Sequence, residues 1–198
     1  MADHKRRLFE AKQAGDFTAI IEVLLSLRVN SLQISPELRK NLVYEIIRND
    51  IFFLTSIAKN QHLIDLLQAS QGHPQLQHAI LSLISVIVSA LKGVEYLLMN
   101  DQMILVALLQ MFQGMDHSSD GSVAHRFLVA ILQKMSIKAD TIPAMVDLNT
   151  IETVISLVKR SLHKETHIFS LDFSTALLAN ILHAKTTLAY FVRPENSA

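Results

Sequence analysis

The feature that most constrains this chain is a five-residue pattern that recurs four times. Each copy has two apolar residues, a small or acidic residue, and two more apolar residues, as in IIEVL at residues 20–24. The copies recur about every 45 residues. They occupy residues 20–24, 63–67, 105–109 and 154–158. A short helix with apolar residues on more than one side is not stable alone, so these units must bury one another.

Each pentad is followed by a polar loop and a second apolar segment with helical periodicity. These second segments lie at 42–47, 79–84, 130–135 and 176–181, and shorter third segments lie at 51–58, 94–100, 142–148 and 186–192. Repeats of about 40–47 residues with two or three helices are typical of armadillo and HEAT proteins, and the third segment favours armadillo. The predicted fold class is all-α, an armadillo-like right-handed superhelical solenoid. An irregular helical bundle is the alternative.

The spacing predicts one domain over residues 1–198, with about four repeat units at 1–50, 51–92, 93–138 and 139–198. Helix-start signals support this division. Ser35 is expected to cap a helix that has Pro36 in its first position. Further starts are predicted at Asp16, at His73-Pro74, at Asp101, at 140–143 and at Asn149-Thr150.

Composition excludes several classes of protein but does not identify the function. Half of the chain is hydrophobic and 18% is charged, which excludes disorder for most of it. Lys+Arg and Asp+Glu are equal at 18 each, so no global charge attracts nucleic acid or anionic lipid. The charge-free stretch 66–91 is interrupted at 71–78 and falls short of the about 20 apolar residues of a membrane span. No signal peptide follows the basic N-terminus, so cytosolic or cytoskeletal residence is expected.

Motifs that carry chemistry are weak in this sequence. His163 and His167 share a helix face, but Glu165 is not directly after the first histidine, as a zinc-protease motif requires. The run 115–121 contains Asp, His and Ser and is typical of a solvated loop. The chain has no Cys and no glycine-rich phosphate motif. We therefore expect no enzyme activity, cofactor or metal; a helical-bundle enzyme is a competing class.

The two ends of the chain carry different surfaces. Lys5, Arg6, Arg7 and Lys12 form a basic cluster that we interpret as the solvated face of a polar first helix capping the repeats. Residues 188–192 are apolar, and we expect them either to pack as a truncated cap or to support self-association. No membrane insertion and no nucleic-acid partner are expected.

The sequence ALLANIL at 176–182 is similar to the third-helix signature of armadillo repeats, in which an Asn, here Asn180, stands among Leu and Ala. From residue 73 to 192 the chain resembles the armadillo region of the LisH-domain-containing armadillo proteins. That resemblance implies a non-catalytic protein-interaction scaffold in a ciliary basal-body or centrosomal protein that acts in cilium assembly or stability. The family's LisH segment and coiled coil are not visible, which implies a piece of a longer protein or a short form.

In an armadillo solenoid the last helix of each unit lines a concave groove. Armadillo proteins that bind extended peptides line it with Asn, joined by Trp in importins; this chain has no Trp and only Asn180 at the equivalent position. A folded partner or a helix is therefore favoured. A HEAT-like tubulin-binding module is a further alternative, although Asp116, Asp120 and Glu165 in the loops argue against it. The predicted contact residues are Ser82, Ser85, His125, Arg126, Lys134 and Asn180.

Overall fold

The computed structural model describes residues 1–32, 35–55, 61–115, 123–161, 168–185 and 187. These residues form eleven α-helices and one 3-10 turn, Ala139–Thr141, and contain no strand. The predicted all-α class is therefore confirmed for the described residues. The helices are α1 Ala2–Ala14, α2 Phe17–Leu32, α3 Pro36–Arg48, α4 His62–Ser70, α5 Pro74–Ile87, α6 Leu91–Leu97, α7 Met103–Gly114, α8 Val123–Met135, α9 Ile142–Asp147, α10 Thr150–Ser161 and α11 Ile168–His183.

The repeated segments of the sequence all lie on helices. The four pentads belong to α2, α4, α7 and α10, and the four second segments belong to α3, α5, α8 and α11. Of the third segments, 94–100 overlaps α6 and 142–148 overlaps α9. The described part of the segment 51–58 is a turn rather than a helix, and nearly all of 186–192 lies outside the described residues.

Two of the predicted helix starts have the expected capping contacts. The Ser35 hydroxyl accepts a hydrogen bond from the Leu38 amide at 3.3 Å, with proline in the first position of α3. The Asp16 carboxylate accepts one from the Ala19 amide at 3.0 Å. The prediction at Asp101 is wrong, because α7 begins at Met103 and Asp101 has a left-handed backbone with φ 53°.

The chain divides into two compact units, Met1–Ala107 and Leu108–Ala198. In the first unit α2 packs most extensively against α5, and also against α1, while α3 packs against α6. In the second unit α11 packs against α8 and α10. The sequence pattern paired α2 with α3 as first and second helix, whereas the packing gives α2 and α3 different principal neighbours. The predicted division into four repeats stays a prediction.

A distinctive turn closes the C-terminal end of α8. The Lys138 amide donates to the Met135 carbonyl at 3.0 Å, and the Thr141 amide donates to the Lys138 carbonyl at 3.0 Å. The buried Thr141 hydroxyl donates to the Lys138 carbonyl at 2.7 Å and also lies 3.0 Å from the Met135 carbonyl. These contacts provide partners for carbonyl groups that the end of a helix leaves without intrahelical ones.

The same turn follows α11. The Ala184 amide donates to the Ile181 carbonyl at 3.2 Å, and the Thr187 amide donates to the Ala184 carbonyl at 3.0 Å. Thr187 is also buried, and its hydroxyl donates to the Ile181 carbonyl at 2.6 Å. Two helices of the second unit are therefore followed by the same turn, each with a buried threonine whose hydroxyl lies within 3.0 Å of the carbonyl six residues before it.

A third copy of this turn follows α5, with glycine in place of threonine. The Ala90 amide donates to the Ile87 carbonyl at 3.3 Å, and the Gly93 amide donates to the Ala90 carbonyl at 2.8 Å. A Cβ atom at Gly93 would lie 1.8 Å from the Ile87 carbonyl oxygen. Here the backbone approaches so closely that no side chain fits.

We predict that Gly93→Ala destabilises the protein by about 1–3 kcal/mol or more, because the new methyl group meets backbone rather than a movable side chain. Chemical denaturation monitored by circular dichroism measures the change. Gly72→Ala is the matched control, since a Cβ at Gly72 meets nothing within 4 Å. Equal stability of the two variants would contradict the close approach.

The turn after α3 is organised by a buried carboxylate. Asp50 has a left-handed backbone, with φ 46°, and is only 8% exposed. Its Oδ1 accepts hydrogen bonds from the Tyr96 hydroxyl at 2.7 Å and the Leu54 amide at 2.8 Å. Its Oδ2 accepts a hydrogen bond from the Thr55 hydroxyl at 2.6 Å. The Tyr96 hydroxyl accepts in turn from the Phe52 amide at 3.2 Å, so this network ties the turn to α6.

Burial, reinforced by the hydrogen bond to Asp50, raises the pKa of Tyr96 well above its ordinary value, so the phenol stays a donor. We predict that Tyr96→Phe lowers the free energy of unfolding by about 1–3 kcal/mol, because the Phe52 amide loses its acceptor and the carboxylate loses a donor. Urea denaturation measures the loss. Tyr44→Phe on the surface of α3 is the control, and a loss of equal size there would count against the network.

Candidate functional site

One surface recess of the first unit is a trough between α2 and α5. Two adjoining cavities of about 460 and 490 Å³ share three lining residues, Ile21, Pro74 and Gln75. We call this surface the α2–α5 trough. Its lining residues are Phe17, Thr18, Ile21, Leu25, His73, Pro74, Gln75, Leu76 and His78.

Helical spacing explains why these residues face one another. Ile21 and Leu25 are four residues apart on α2, and Pro74 and His78 are four residues apart on α5, so each pair lies on one helix face. Ile21 and Leu25 are half-buried, which leaves part of their apolar surface open in the trough. The trough therefore combines an apolar floor with a polar rim.

An aromatic contact marks one end of the trough. The rings of Phe17 and His73 have centroids 4.5 Å apart and are tilted by 50°. Phe17 is the first residue of α2, and His73 directly precedes α5. The N-terminal ends of both helices therefore lie at this end of the trough.

The electrostatic environment of the trough acts on His78. Burial lowers the pKa of His78, and the Arg28 guanidinium lowers it further. The pKa in the folded chain thus lies below that of the unfolded chain. As the pH falls through the ordinary imidazole range, the unfolded chain binds its proton first, so this residue's contribution makes folding less favourable in acid.

We predict that Arg28→Gln raises the pKa of His78 towards its ordinary value, because one of the two causes of the shift is removed. Histidine C2-proton chemical shifts, followed by NMR across pH 4–9, measure the pKa of His78 in both proteins. Arg48→Gln, at an exposed position on α3, removes the same charge elsewhere. An equal shift in that control would show that no local interaction between Arg28 and His78 is involved.

The two predicted contact residues of the first unit, Ser82 and Ser85, differ in how deeply they are buried. Ser82 is fully buried, and its hydroxyl donates to the Ala79 carbonyl at 2.9 Å. Ser85 is half-buried, and its hydroxyl donates to the Ser82 carbonyl at 2.7 Å. We therefore remove Ser82 from the predicted contact residues, because its side chain is enclosed by α5 and its neighbours. Ser85 stays a prediction.

In the second unit, the four other predicted contact residues lie on α8 and α11, which pack against each other. His125 is buried, with its ring 6.1 Å from that of Phe112, so we remove it from the contact residues as well. Arg126 is half-buried and Lys134 is exposed. The Asn180 amide donates to the Ser136 hydroxyl at 2.9 Å, which ties α11 to α8. Arg126, Lys134 and Asn180 stay predictions as partner contacts.

The N-terminal basic cluster makes its contacts within the first unit. Arg6 pairs with Asp3 at 2.7 Å, and Lys12 pairs with Asp65 of α4 at 2.6 Å. The Lys5 ammonium lies 4.5 Å from the centroid of the Phe53 ring. These contacts join α1 to the turn after α3 and to α4, and the interpretation of the cluster as the solvated face of a helix capping the repeats stays a prediction.

The weak chemical motifs of the sequence fall largely outside the described residues. His163, Glu165 and His167 lie there, as do residues 116–121 of the polar loop. Within the described ranges, no group of three or more His, Asp or Glu side chains is arranged to hold a metal ion.

No described helix is by itself both long and apolar enough to cross a membrane. One pair, Ala139–Asp147 with Thr150–Lys159, meets the length and composition requirement jointly, with a bend of 78° between its members.

Sequence reasoning missed the α2–α5 trough. The signal was present in Ile21 and Leu25 on one helix and in the His73-Pro74 helix start on the other. The pentad pattern pairs α2 with α3 and therefore does not predict a surface between α2 and α5.

No family model, no curated protein and no solved structure matches the chain.

Proposed function

We propose that the chain is a non-catalytic protein-interaction scaffold built from armadillo-like helical repeats. The observation that carries this proposal is the turn that recurs after α5, α8 and α11. In each copy the same two amide-to-carbonyl hydrogen bonds recur, and the residue six positions after the first acceptor carbonyl lies close to that carbonyl. Recurrence of the same turn is expected of repeat proteins, because their units share one backbone structure.

Helix packing within the second unit supports the proposal. The helices α8 and α11 carry equivalent segments of the sequence repeat and pack extensively against each other. Side-by-side packing of equivalent helices one repeat apart is the arrangement expected in stacked repeats. The Asn180 amide, which bridges α11 to Ser136 at the end of α8, adds a polar tie between two such helices.

The surface chemistry favours a protein partner. The α2–α5 trough has an apolar floor and polar rim residues, a combination typical of protein interfaces. The resemblance to LisH-domain-containing armadillo proteins leads us to propose a cytoplasmic location at the ciliary basal body or centriole, and a role in cilium assembly or stability.

Affinity capture from extracts of ciliated cells tests this function. We predict that the wild-type chain enriches basal-body or centrosomal proteins and that the double variant Arg126→Glu with Lys134→Glu reduces their recovery about tenfold, because two positive contacts become repulsive. Lys40→Glu with Lys159→Glu makes the same charge change at exposed positions of α3 and α10. That control should retain the partners.

The proposal fails if no such proteins are enriched, or if both double variants retain or lose them equally. Thermal denaturation of all three proteins shows whether a loss of capture reflects a loss of folding. A variant that has lost its partners while keeping its melting temperature has lost contacts rather than structure.

A further inference from the structure

We propose that a second copy of the chain packs on the exposed side of α11, with the two α11 helices antiparallel and related by a two-fold axis. We call this surface the α11 face. Its residues share one side of the helix and are all exposed: Ile168, Asp172, Thr175, Ala179, Leu182 and His183. The inference goes beyond the proposed scaffold function and does not depend on it. It concerns α11 rather than the segment 188–192, for which self-association was one expectation from the sequence.

One side of the neighbouring helix α8 is covered by α11, and a polar contact identifies that side. The Asn180 amide of α11 donates to the Ser136 hydroxyl at 2.9 Å and lies 3.4 Å from the Gln133 carbonyl oxygen. These two residues lie at the C-terminal end of α8, and the two helices pack extensively against each other. The side of α8 that carries Gln133 and Ser136 is therefore a helix-packing surface.

The equivalent side of α11 is open. The same turn follows both helices, so the residues of α8 and α11 can be matched by counting back from it. In that match Ala179 takes the place of Gln133. Leu182 takes the place of Ser136, and both residues of α11 are exposed. A surface on which α8 receives another helix is thus repeated on α11, with no helix of the described residues lying on it.

The α11 face exposes apolar side chains at both of its ends. Ile168, in the first position of the helix, is 73% exposed, and Leu182, in its last turn, is 44% exposed. Thr175 and Ala179 lie between them and are short enough to let a second helix approach closely. Removal of this apolar surface from water would be the main favourable term in association.

Charges at the two ends of α11 favour a second copy in an antiparallel arrangement. Asp172 is the only carboxylate in the helix and lies near its start, whereas His183 ends the helix and Lys185 follows it. All three are exposed, and none forms an ion pair with another described residue. Antiparallel helices bring the acidic end of each copy to the basic end of the other, so a two-fold interface makes this contact twice.

The spacing along α11 sets the register of the pair. Asp172 lies four residues before Ala176, and His183 lies four residues after Ala179. Antiparallel helices centred between these two alanines therefore place Asp172 of each copy at the level of His183 of the other. An imidazole can donate a hydrogen bond to a carboxylate, and Lys185 adds a positive charge close by. Parallel helices would instead place like ends together.

The interface is small, because one helix from each copy forms most of it. Stable interfaces bury about 1,200–2,000 Å², so we expect a weak dimer with a dissociation constant of about 10–500 µM. Sedimentation equilibrium of the purified full chain, over a concentration range that spans these values, measures it. The weight-average mass should rise from that of the monomer towards twice that mass.

Charge reversal tests the pairing. Asp172→Lys places a cation opposite His183 of the other copy, and His183→Asp places a carboxylate opposite Asp172. Each change should weaken the dimer at least about fivefold, because the contact occurs twice in the interface. The double variant restores opposite charges in exchanged positions and should dimerise at least about threefold more tightly than either single variant.

Stability measurements separate pairing from folding. Lysine near the start of α11 and aspartate at its end are both unfavourable to the helix dipole, so the double variant should have the lowest melting temperature. Recovered association in the least stable variant would then reflect pairing rather than better folding. Glu37→Lys is the matched control, since it reverses an exposed carboxylate in the first turn of α3 and should leave the dissociation constant unchanged.

A cysteine variant locates the contact. The chain contains no Cys, so Ala179→Cys carries a single thiol, which the proposed register places near the two-fold axis. A short bismaleimide should convert this variant to a covalent dimer at concentrations near the dissociation constant. Gln110→Cys, at an exposed position of α7, is the control and should give much less covalent dimer.

Several outcomes overturn the inference. These are a monomer mass at every concentration, equal weakening by Asp172→Lys and Glu37→Lys, no recovery in the double variant, and equal cross-linking of the two cysteine variants. A chain that stays monomeric while Asp172→Lys reduces its capture of cellular proteins would assign the α11 face to a different protein. In each of these cases the scaffold function stands or falls separately, on the capture experiment with Arg126 and Lys134.

Discussion

The architecture depends on how the long helices end inside an apolar interior. Carbonyl groups in the last turn of a helix have no intrahelical partner, and leaving one buried and unsatisfied costs about 1–3 kcal/mol. After α5, α8 and α11 the chain meets this constraint with the same turn, in which the amides three and six residues after the first acceptor carbonyl both donate. The turn also sets where the following short helices α6 and α9 begin, at Leu91 and Ile142.

The copies of this turn differ in the group that approaches the acceptor carbonyl. Thr141 and Thr187 place a buried hydroxyl against the carbonyl six residues before them, whereas Gly93 brings the backbone itself so close that a Cβ has no room. The first unit compensates with a different polar cluster, in which Asp50 receives hydrogen bonds from the turn after α3 and from Tyr96 of α6. In a chain that is half hydrophobic, these few buried polar contacts give the helix packing its specificity.

Local features of the fold were predictable because they depend on neighbouring residues. The capping contacts of Ser35 and Asp16 follow from residue type and position, and all four pentads lie on helices. The candidate site was less predictable. Ser82 and His125 look like polar contacts in the sequence but are buried, and the half-buried Ile21 and Leu25 look like core residues but line the trough. Periodicity identifies the faces of a helix without showing which neighbour covers each one.

The sequence by itself determined the all-α class of the described residues, the placement of four similar pentads on helices, the positions of most helix starts, and a balance of 18 basic and 18 acidic residues. Only the tertiary structure decided that α2 packs chiefly against α5, that a trough opens between them, and that its rim carries His78 near Arg28. The reason is physical: capping and periodicity act within a few residues of the chain, whereas burial and electrostatic shifts depend on residues that are distant in sequence.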